Sequence, residues 1–510
     1  MSPPAEPRGA RRAAVAVFAV TLACGALTLN RQLVGVFYDD GLYADVAYAL
    51  THGLGYVHPH LPGHPAVVHY PPLYPLVLSA FFGTLPLQAA GLAAKALNII
   101  LAAAAAGLVA WHATSLELLG PEAPPWLASV LVAGASVALP MLTILSVLFS
   151  EPLFGVLFAL AVLLADHPPA GWSPDRAALL AGGAAALALL TRTIGVAAGL
   201  GIVAYVLMVQ GAPWRRAALA GGPVLASALG WLVWVASHHR GIDPDMATNY
   251  GSYFEVVQSA GLGVVWPSLR DLPRPLADLT LRWLPGSALQ GLVGVAELVI
   301  LAYGLVLVSR RSSVGFTLLC YIAILAVWPF PADRFIWVVL PWLALAWGAG
   351  VVRVWHVSQL RVLRVPVALA AAAIVIGYAR VEGIALATHS WNAAPTRVSS
   401  IAEELLPWVA SLPPDAVIAA DLEPLIGLNT GRTSVPFYIY AYRGSQVISP
   451  GPAEQRAYLE RQGVTHIVTS GYVSRSAPQL DALLGAYPGW LTVIKGWRDG
   501  RAAFRVNRGR

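Results

Sequence analysis

Between Tyr38 and Pro75 the chain reads YDDGLYADVAYALTHGLGYVHPHLPGHPAVVHYPPLYP, a stretch crowded with side chains that can move a proton or hold an anion. Asp39 and Asp40 are adjacent and Asp45 follows. His52, His58, His60, His64 and His69 come next, and a Tyr70-Pro71-Pro72 element closes the stretch. A carboxylate beside a low-dielectric surface has its pKa raised and can accept a proton in a transition state, so the acidic pair reads as a general base or as metal ligands. The competing reading is a solvated acidic turn. The histidines are threaded through prolines and a glycine, with no H-E-x-x-H spacing and no Cys/His pairing. They read as hydrogen-bonding groups. No metal ligand is assigned, and a divalent metal is left open.

Three more ionisable residues stand in apolar surroundings: Glu151 in SEPLFGVLF, Arg192 in LALLTRTIG and Arg334 in PFPADRFIW. Ionisable groups at membrane depth are costly and are functional candidates by default. Each also has a plain structural reading. Glu151 suits a helix N-terminus, with Pro152 in its first turn; Arg192 suits a snorkelling anchor; Arg334 can pair with Asp333. As a set they point to a site that handles an anion, because the planar guanidinium fork matches a phosphate.

The chain that must position these residues has 510 residues, 57% hydrophobic and 11% charged, with a mean hydropathy of +0.66. Soluble domains carry about 25% charged residues, so this is the composition of an integral membrane protein. The net charge of +6 comes almost wholly from arginine, Lys95 and Lys495 being the only lysines. That bias fits a GC-rich bacterial genome and cytoplasmic loops obeying the positive-inside rule, not a nucleic-acid surface. Cys24 and Cys320 lie in separate apolar runs and suggest neither a disulfide nor a metal site. Arg8, Arg11 and Arg12 precede an apolar stretch with no convincing cleavage site, so it reads as a retained first helix.

Apolar segments long enough to span fall near 13–35, 88–111, 126–143, 146–165, 176–191, 194–209, 216–237, 288–309, 313–330, 334–351 and 364–386, with a shorter piece at 73–86. Loop arginines orient them. Clusters at Arg215/Arg216, Arg310/Arg311 and Arg353/Arg361/Arg364 join the N-terminal one on the cytoplasmic side. The expected fold is a polytopic α-helical membrane protein of about eleven transmembrane helices, N-terminus in. It covers 1–387 and is followed by a small extracytoplasmic α/β domain, 388–510. A first outer loop (37–71), Glu151, Arg192, a second large outer loop (239–287), Arg334 and the tail then face outward together. The second loop is rich in Tyr, Trp and Pro, as befits an interfacial belt or the wall of a substrate site. In the tail, DAVIAAD reads as a strand entering a helix, 452–464 as a helix, THIVTSG as a strand and 477–487 as a helix. The terminal hairpin turns at Arg498-Asp499-Gly500, and GLNTGR (427–432) reads as a polar turn.

These features resemble the GT-C superfamily of membrane glycosyltransferases, especially the bacterial relatives of the protein O-mannosyltransferases and the lipid A aminoarabinose transferase. The matching residues are Asp39-Asp40-x-x-Tyr43-Ala44 and Tyr70-Pro71-Pro72-Leu73-Tyr74-Pro75. Ser150-Glu151-Pro152, Thr191-Arg192 and Arg334 ahead of Pro341 match more loosely. The family pattern has Asp-Glu where this chain has Asp-Asp, and often Lys or His where this chain has Tyr70, preceded by His69.

The resemblance implies a glycosyltransferase in the bacterial cytoplasmic (inner) membrane. It would move a sugar from a polyprenyl-phosphate donor to a hydroxyl of a lipid, glycan or protein acceptor, with inversion, on the outer side of the bilayer. Asp39 is the implied general base with Asp40 beside it. Tyr43, His69, Tyr70, Tyr74, Glu151, Arg192 and Arg334 are the implied substrate- or phosphate-binding residues. Activation resides in the lipid, which accounts for the lack of a Gly-rich nucleotide loop. Two other classes stay open: a transporter or flippase of lipid-linked sugars, and a non-catalytic assembly protein of the same fold. The chain shows no convincing internal repeat of the kind many transporters carry.

Overall fold

The computed structural model describes residues 8–443, 446–469, 476–497 and 501–507, so the turn expected at Arg498-Asp499-Gly500 lies outside the described residues. Each of the expected apolar segments is helical, but lengths differ. Among the described residues, six helices are long and apolar enough to cross a bilayer: Gly9–Ala26, Leu87–Ser115, Trp214–Gly241, Ser287–Ser309, Asp333–His356 and Gln359–Thr388. A pair bent by 52°, Leu127–Ser136 and Leu139–Leu145, makes a seventh if counted as one span. The bend has a local cause. Pro140 cannot donate to the preceding turn, so Ala138 goes extended (ψ 144°) and Pro140 sits in the first turn of a new helix.

The first helix stops at Ala26, well before the expected end near 35, in a polar TLNRQ run. The piece at 73–86 forms only the ten-residue helix Leu73–Phe82. At 1.5 Å per residue that is about 15 Å, half of a hydrocarbon core of about 30 Å.

Two compact units emerge, each assembled from three stretches of chain. The first comprises Met1–Leu29, Lys95–Trp231 and Val265–Asn392. It is a bundle in which Glu151–Asp166 packs on Pro174–Thr191, Val196–Met208 on Ser313–Leu325, and Ser287–Ser309 on Asp333–His356. The last pair approaches so closely that a Cβ on Gly304 would stand 1.7 Å from the Ala346 carbonyl oxygen. Only a small residue permits such a crossing, a common solution where lipid offers no hydrophobic drive for helix association.

The second unit comprises Asn30–Ala94, Leu232–Val264 and Ala393–Arg510. Its sheet runs in the order Thr433–Pro436, Val417–Ala420, His466–Val468, Ala502–Val506, Leu491–Gly496. The first three strands are mutually parallel and the last two antiparallel. Buried Leu405, Val409, Ile418, Ile426 and Val468 form a core against it. The GLNTGR run is the end of a helix, Glu423–Thr430, capped by Gly431 with φ 66°. The stretch expected as the first outer loop is partly helical too, because Asp39–Thr51 forms a helix. The Ser434 N–H donates to the His60 backbone carbonyl oxygen at 2.8 Å, tying this stretch to the edge of the sheet.

Candidate active site

Asp39 and Asp40, identical in type and adjacent, are put to different uses by the helix they open. Asp40 is fully buried. Its Oδ2 accepts the Gly35 N–H at 2.9 Å and its Oδ1 accepts the Phe37 N–H at 2.7 Å, so it ties down the turn leading into the helix. Asp39 instead accepts a hydrogen bond from the Tyr70 hydroxyl at 2.8 Å. The Pro71-Pro72 pair ends just before the helix Leu73–Phe82, which fixes Tyr70 and Tyr74 at its entrance. Tyr43, one turn on from Asp39, packs its ring 4.8 Å from Tyr70 and edge-on to Tyr74 at 5.0 Å.

His69 completes this cluster. Its Nδ1 lies 2.7 Å from the Gly251 carbonyl oxygen and its ring centroid 4.1 Å from that of Tyr253. Burial holds the imidazole below its ordinary value, against the Gly251 carbonyl and the negative charge of Asp39, which pull upward. Burial also pushes the Tyr70 phenol well up, and Asp39 adds to that, so Tyr70 remains a donor. The second unit thus brings Asp39, Tyr43, His69, Tyr70 and Tyr74 together.

Behind them runs a network that the sequence reading missed. The His60 Nδ1 lies 2.9 Å from Asp45 Oδ2, and its Nε2 lies 2.9 Å from the Tyr250 hydroxyl. Tyr250 and Tyr38 both donate to Glu423 Oε1, at 2.7 and 2.8 Å. Burial pushes Glu423 up to about 7, against the two hydroxyl bonds that favour its carboxylate form. The His58 ring packs edge-on to Tyr250, fully buried, and burial holds it well below the usual imidazole range.

In the first unit, Glu151, Arg192 and Arg334 do meet. Glu151 is fully buried, and its Oε1 lies 3.0 Å from Arg192 Nη1 and 2.7 Å from Arg334 Nε. Arg192 also donates to Ser150 Oγ at 3.1 Å. The guanidinium of Arg334 lies 3.6 Å from the Phe149 ring centre, and that of Arg192 lies 4.7 Å from that of Phe335. Arg334 therefore pairs with Glu151 rather than with its neighbour Asp333. Two cations flank one carboxylate, and Arg334 keeps 29% of its side chain exposed.

Among the described residues, no group of three His, Cys, Asp or Glu side chains converges to hold a metal ion. Asp39 has a tyrosine hydroxyl on Oδ1, and the nearby His69 directs Nδ1 to a backbone carbonyl. That donor set does not fit a divalent cation.

No family model matches the sequence, and no curated protein does. Among solved structures the chain is similar to ArnT from Cupriavidus metallidurans in the apo state, with a TM-score of 0.54 and 15% identity. That similarity covers 96% of this chain and 97% of that one. It is also similar to the archaeal oligosaccharyltransferase AglB from Archaeoglobus fulgidus in complex with an inhibitory peptide and a dolichol-phosphate. There the TM-score is 0.53 and the identity 12%, over 97% of this chain and 74% of that one. The chain therefore has the GT-C fold that the motifs of 38–75 lead one to expect, and it is a multi-pass membrane protein.

Proposed function

We propose that this protein is a glycosyltransferase that moves a sugar from a polyprenyl-phosphate donor to a hydroxyl acceptor, on the outer side of a bacterial cytoplasmic membrane. The observation that carries the reading is the GT-C fold along nearly the whole chain, with the Asp39 carboxylate oriented by Tyr70 at the start of a helix. The AglB structure holds a dolichol-phosphate, a ligand of the same chemical class as the proposed leaving group.

In the proposed reaction Asp39 takes the proton of the acceptor hydroxyl as its oxygen attacks the anomeric carbon. The new carbon–oxygen bond forms on the face opposite the phosphate, which inverts the configuration. The bond from the anomeric carbon to the phosphate oxygen breaks, and the polyprenyl phosphate leaves with the electron pair. Arg192 and Arg334 are assigned to that phosphate, with Glu151 keeping their forks ordered. Asp40 takes a structural role beside the base, and Tyr43, Tyr74 and His69 shape its surroundings.

The test is sugar transfer by the purified full chain, using radiolabelled polyprenyl-phosphate sugars and lipid, glycan and protein acceptors. Asp39→Asn should lower the rate about 10²–10⁴-fold, the contribution expected of a positioned base. Transfer at the wild-type rate by that variant removes Asp39 from the mechanism. Movement of intact lipid-linked sugar across the bilayer, with no bond broken, would instead favour a flippase.

A further inference from the structure

Tyr38, immediately before Asp39, has φ 67° and ψ −71°, and the Asp39 N–H donates to the Phe37 carbonyl at 2.8 Å. These are the dihedrals and the i to i+2 hydrogen bond of the positive-φ γ-turn, which is rare and strained for a residue with a side chain. Such a conformation persists only where the surroundings over-determine it. On the backbone side, Asp40 takes the N–H groups of Gly35 and Phe37. On the side-chain side, the Tyr38 hydroxyl is anchored 2.8 Å from Glu423 Oε1.

Glu423 is itself fixed. It is 1% exposed, and the oxygen that holds Tyr38 also takes the Tyr250 hydroxyl, whose oxygen meets His60, which in turn faces Asp45. The helix that Glu423 opens is seated on the turn. A Cβ at Gly35 (φ 99°) would stand 3.0 Å from Leu425 Cα, and one at Gly41 would stand 3.0 Å from Pro424 Cβ.

We propose that Glu423 is a positioning residue for catalysis: through the Tyr38 hydroxyl it holds the strained turn that aims the Asp39 carboxylate. The proposal rests on Asp39 being the base. It assigns to the C-terminal stretch of the chain a part in the chemistry, exerted through one phenol and one peptide unit.

The experiment compares wild type, Tyr38→Phe, Glu423→Ala and Glu423→Gln as full chains in lipid nanodiscs. Two readouts are taken: transfer from a radiolabelled polyprenyl-phosphate sugar, and amide hydrogen exchange of residues 35–40. Tyr38→Phe removes the donor and Glu423→Ala the acceptor. Each should lower kcat roughly 10- to 100-fold, the scale of a misplacement of about 1 Å, with KM for the donor within about twofold. Exchange at 35–40 should quicken in both, while the strand Val417–Ala420 keeps its protection. Glu423→Gln retains an acceptor oxygen and should keep kcat within about threefold and exchange near the wild type.

The proposal is overturned if kcat is unchanged in Tyr38→Phe and Glu423→Ala, or if KM alone rises. It is equally overturned if Gln is as damaging as Ala, or if protection is lost across the sheet. A wild type that transfers nothing sinks the assignment of Asp39 as base and the positioning role with it. Wild-type transfer with unchanged exchange in Tyr38→Phe sinks the latch alone.

Discussion

Glu151-Pro152-Leu153-Phe154-Gly155 and Glu423-Pro424-Leu425-Ile426-Gly427 differ at one position in five, and each opens a helix. In both, proline in the first turn costs no helical hydrogen bond, and a carboxylate suits the N-terminal dipole. Both glutamates are buried. There the likeness ends. Glu151 lies between two guanidinium groups, whereas Glu423 receives two phenolic hydroxyls and is pushed up to about 7. The five residues settle where a helix starts; partners far along the chain settle whether its first carboxylate is an ion or a titrating group.

Replacing each carboxylate by its amide should separate the two sites most sharply. Glu151→Gln leaves two arginines facing a neutral group in low-dielectric surroundings. Breaking a buried pair by removing one partner costs about 3–5 kcal/mol. Glu423→Gln keeps an acceptor for both tyrosines and should cost only about 1 kcal/mol. Thermal unfolding in detergent reads the difference. Equal losses at the two positions would mean that charge is not what distinguishes them.

The same contrast explains what could be read from the sequence. Asp39, Tyr43, Tyr70 and Tyr74 lie within one short stretch, so a local pattern was enough to group them. Glu151, Arg192 and Arg334 stood out because a charge in an apolar run needs an explanation. Their mutual pairing did not, since Asp333 offered Arg334 a nearer partner in sequence. Glu423 stood in a stretch of ordinary soluble composition, where one more carboxylate carries no signal. Its partner Tyr38 is 385 residues away. The separate uses of Asp39 and Asp40 follow from their places on a helix start, where the sequence alone indicates an outer loop. The short span of Leu73–Phe82 was legible from length alone.

A second, smaller effect concerns pH. The ordinary value for Glu423 is 4.5, and burial pushes it up to about 7. Between those values the folded protein holds a proton that the unfolded chain has released, so this group's contribution to stability falls as pH rises through that window. It levels off above it. The slope is at most about 1.36 kcal/mol per pH unit. Burial moves His58 and His69 in the direction that gives the opposite slope. The quantity to measure is therefore the stability difference between wild type and Glu423→Gln, in which the histidines cancel. It should shift in favour of the variant from pH 4.5 to 7. A flat difference would mean that Glu423 keeps its ordinary acidity despite its burial.

The smallest effect belongs to a third acid–base contact, one whose arginine is half exposed. Arg461 reaches Asp245, and its Nη2 lies 3.6 Å from Asp243 Oδ1. Near water the Coulomb gain of such a pair is largely cancelled by the cost of ordering the long arginine side chain. Arg461→Ala should therefore lower stability by less than about 1 kcal/mol. What loss there is should disappear near 1 M salt, where the screening length is about 3 Å. The loss in Glu151→Gln should persist there, because salt does not enter a buried pair. If the Arg461 loss also survives high salt, exposure is the wrong dividing line, and Arg461 acts through the packing of its alkyl stem.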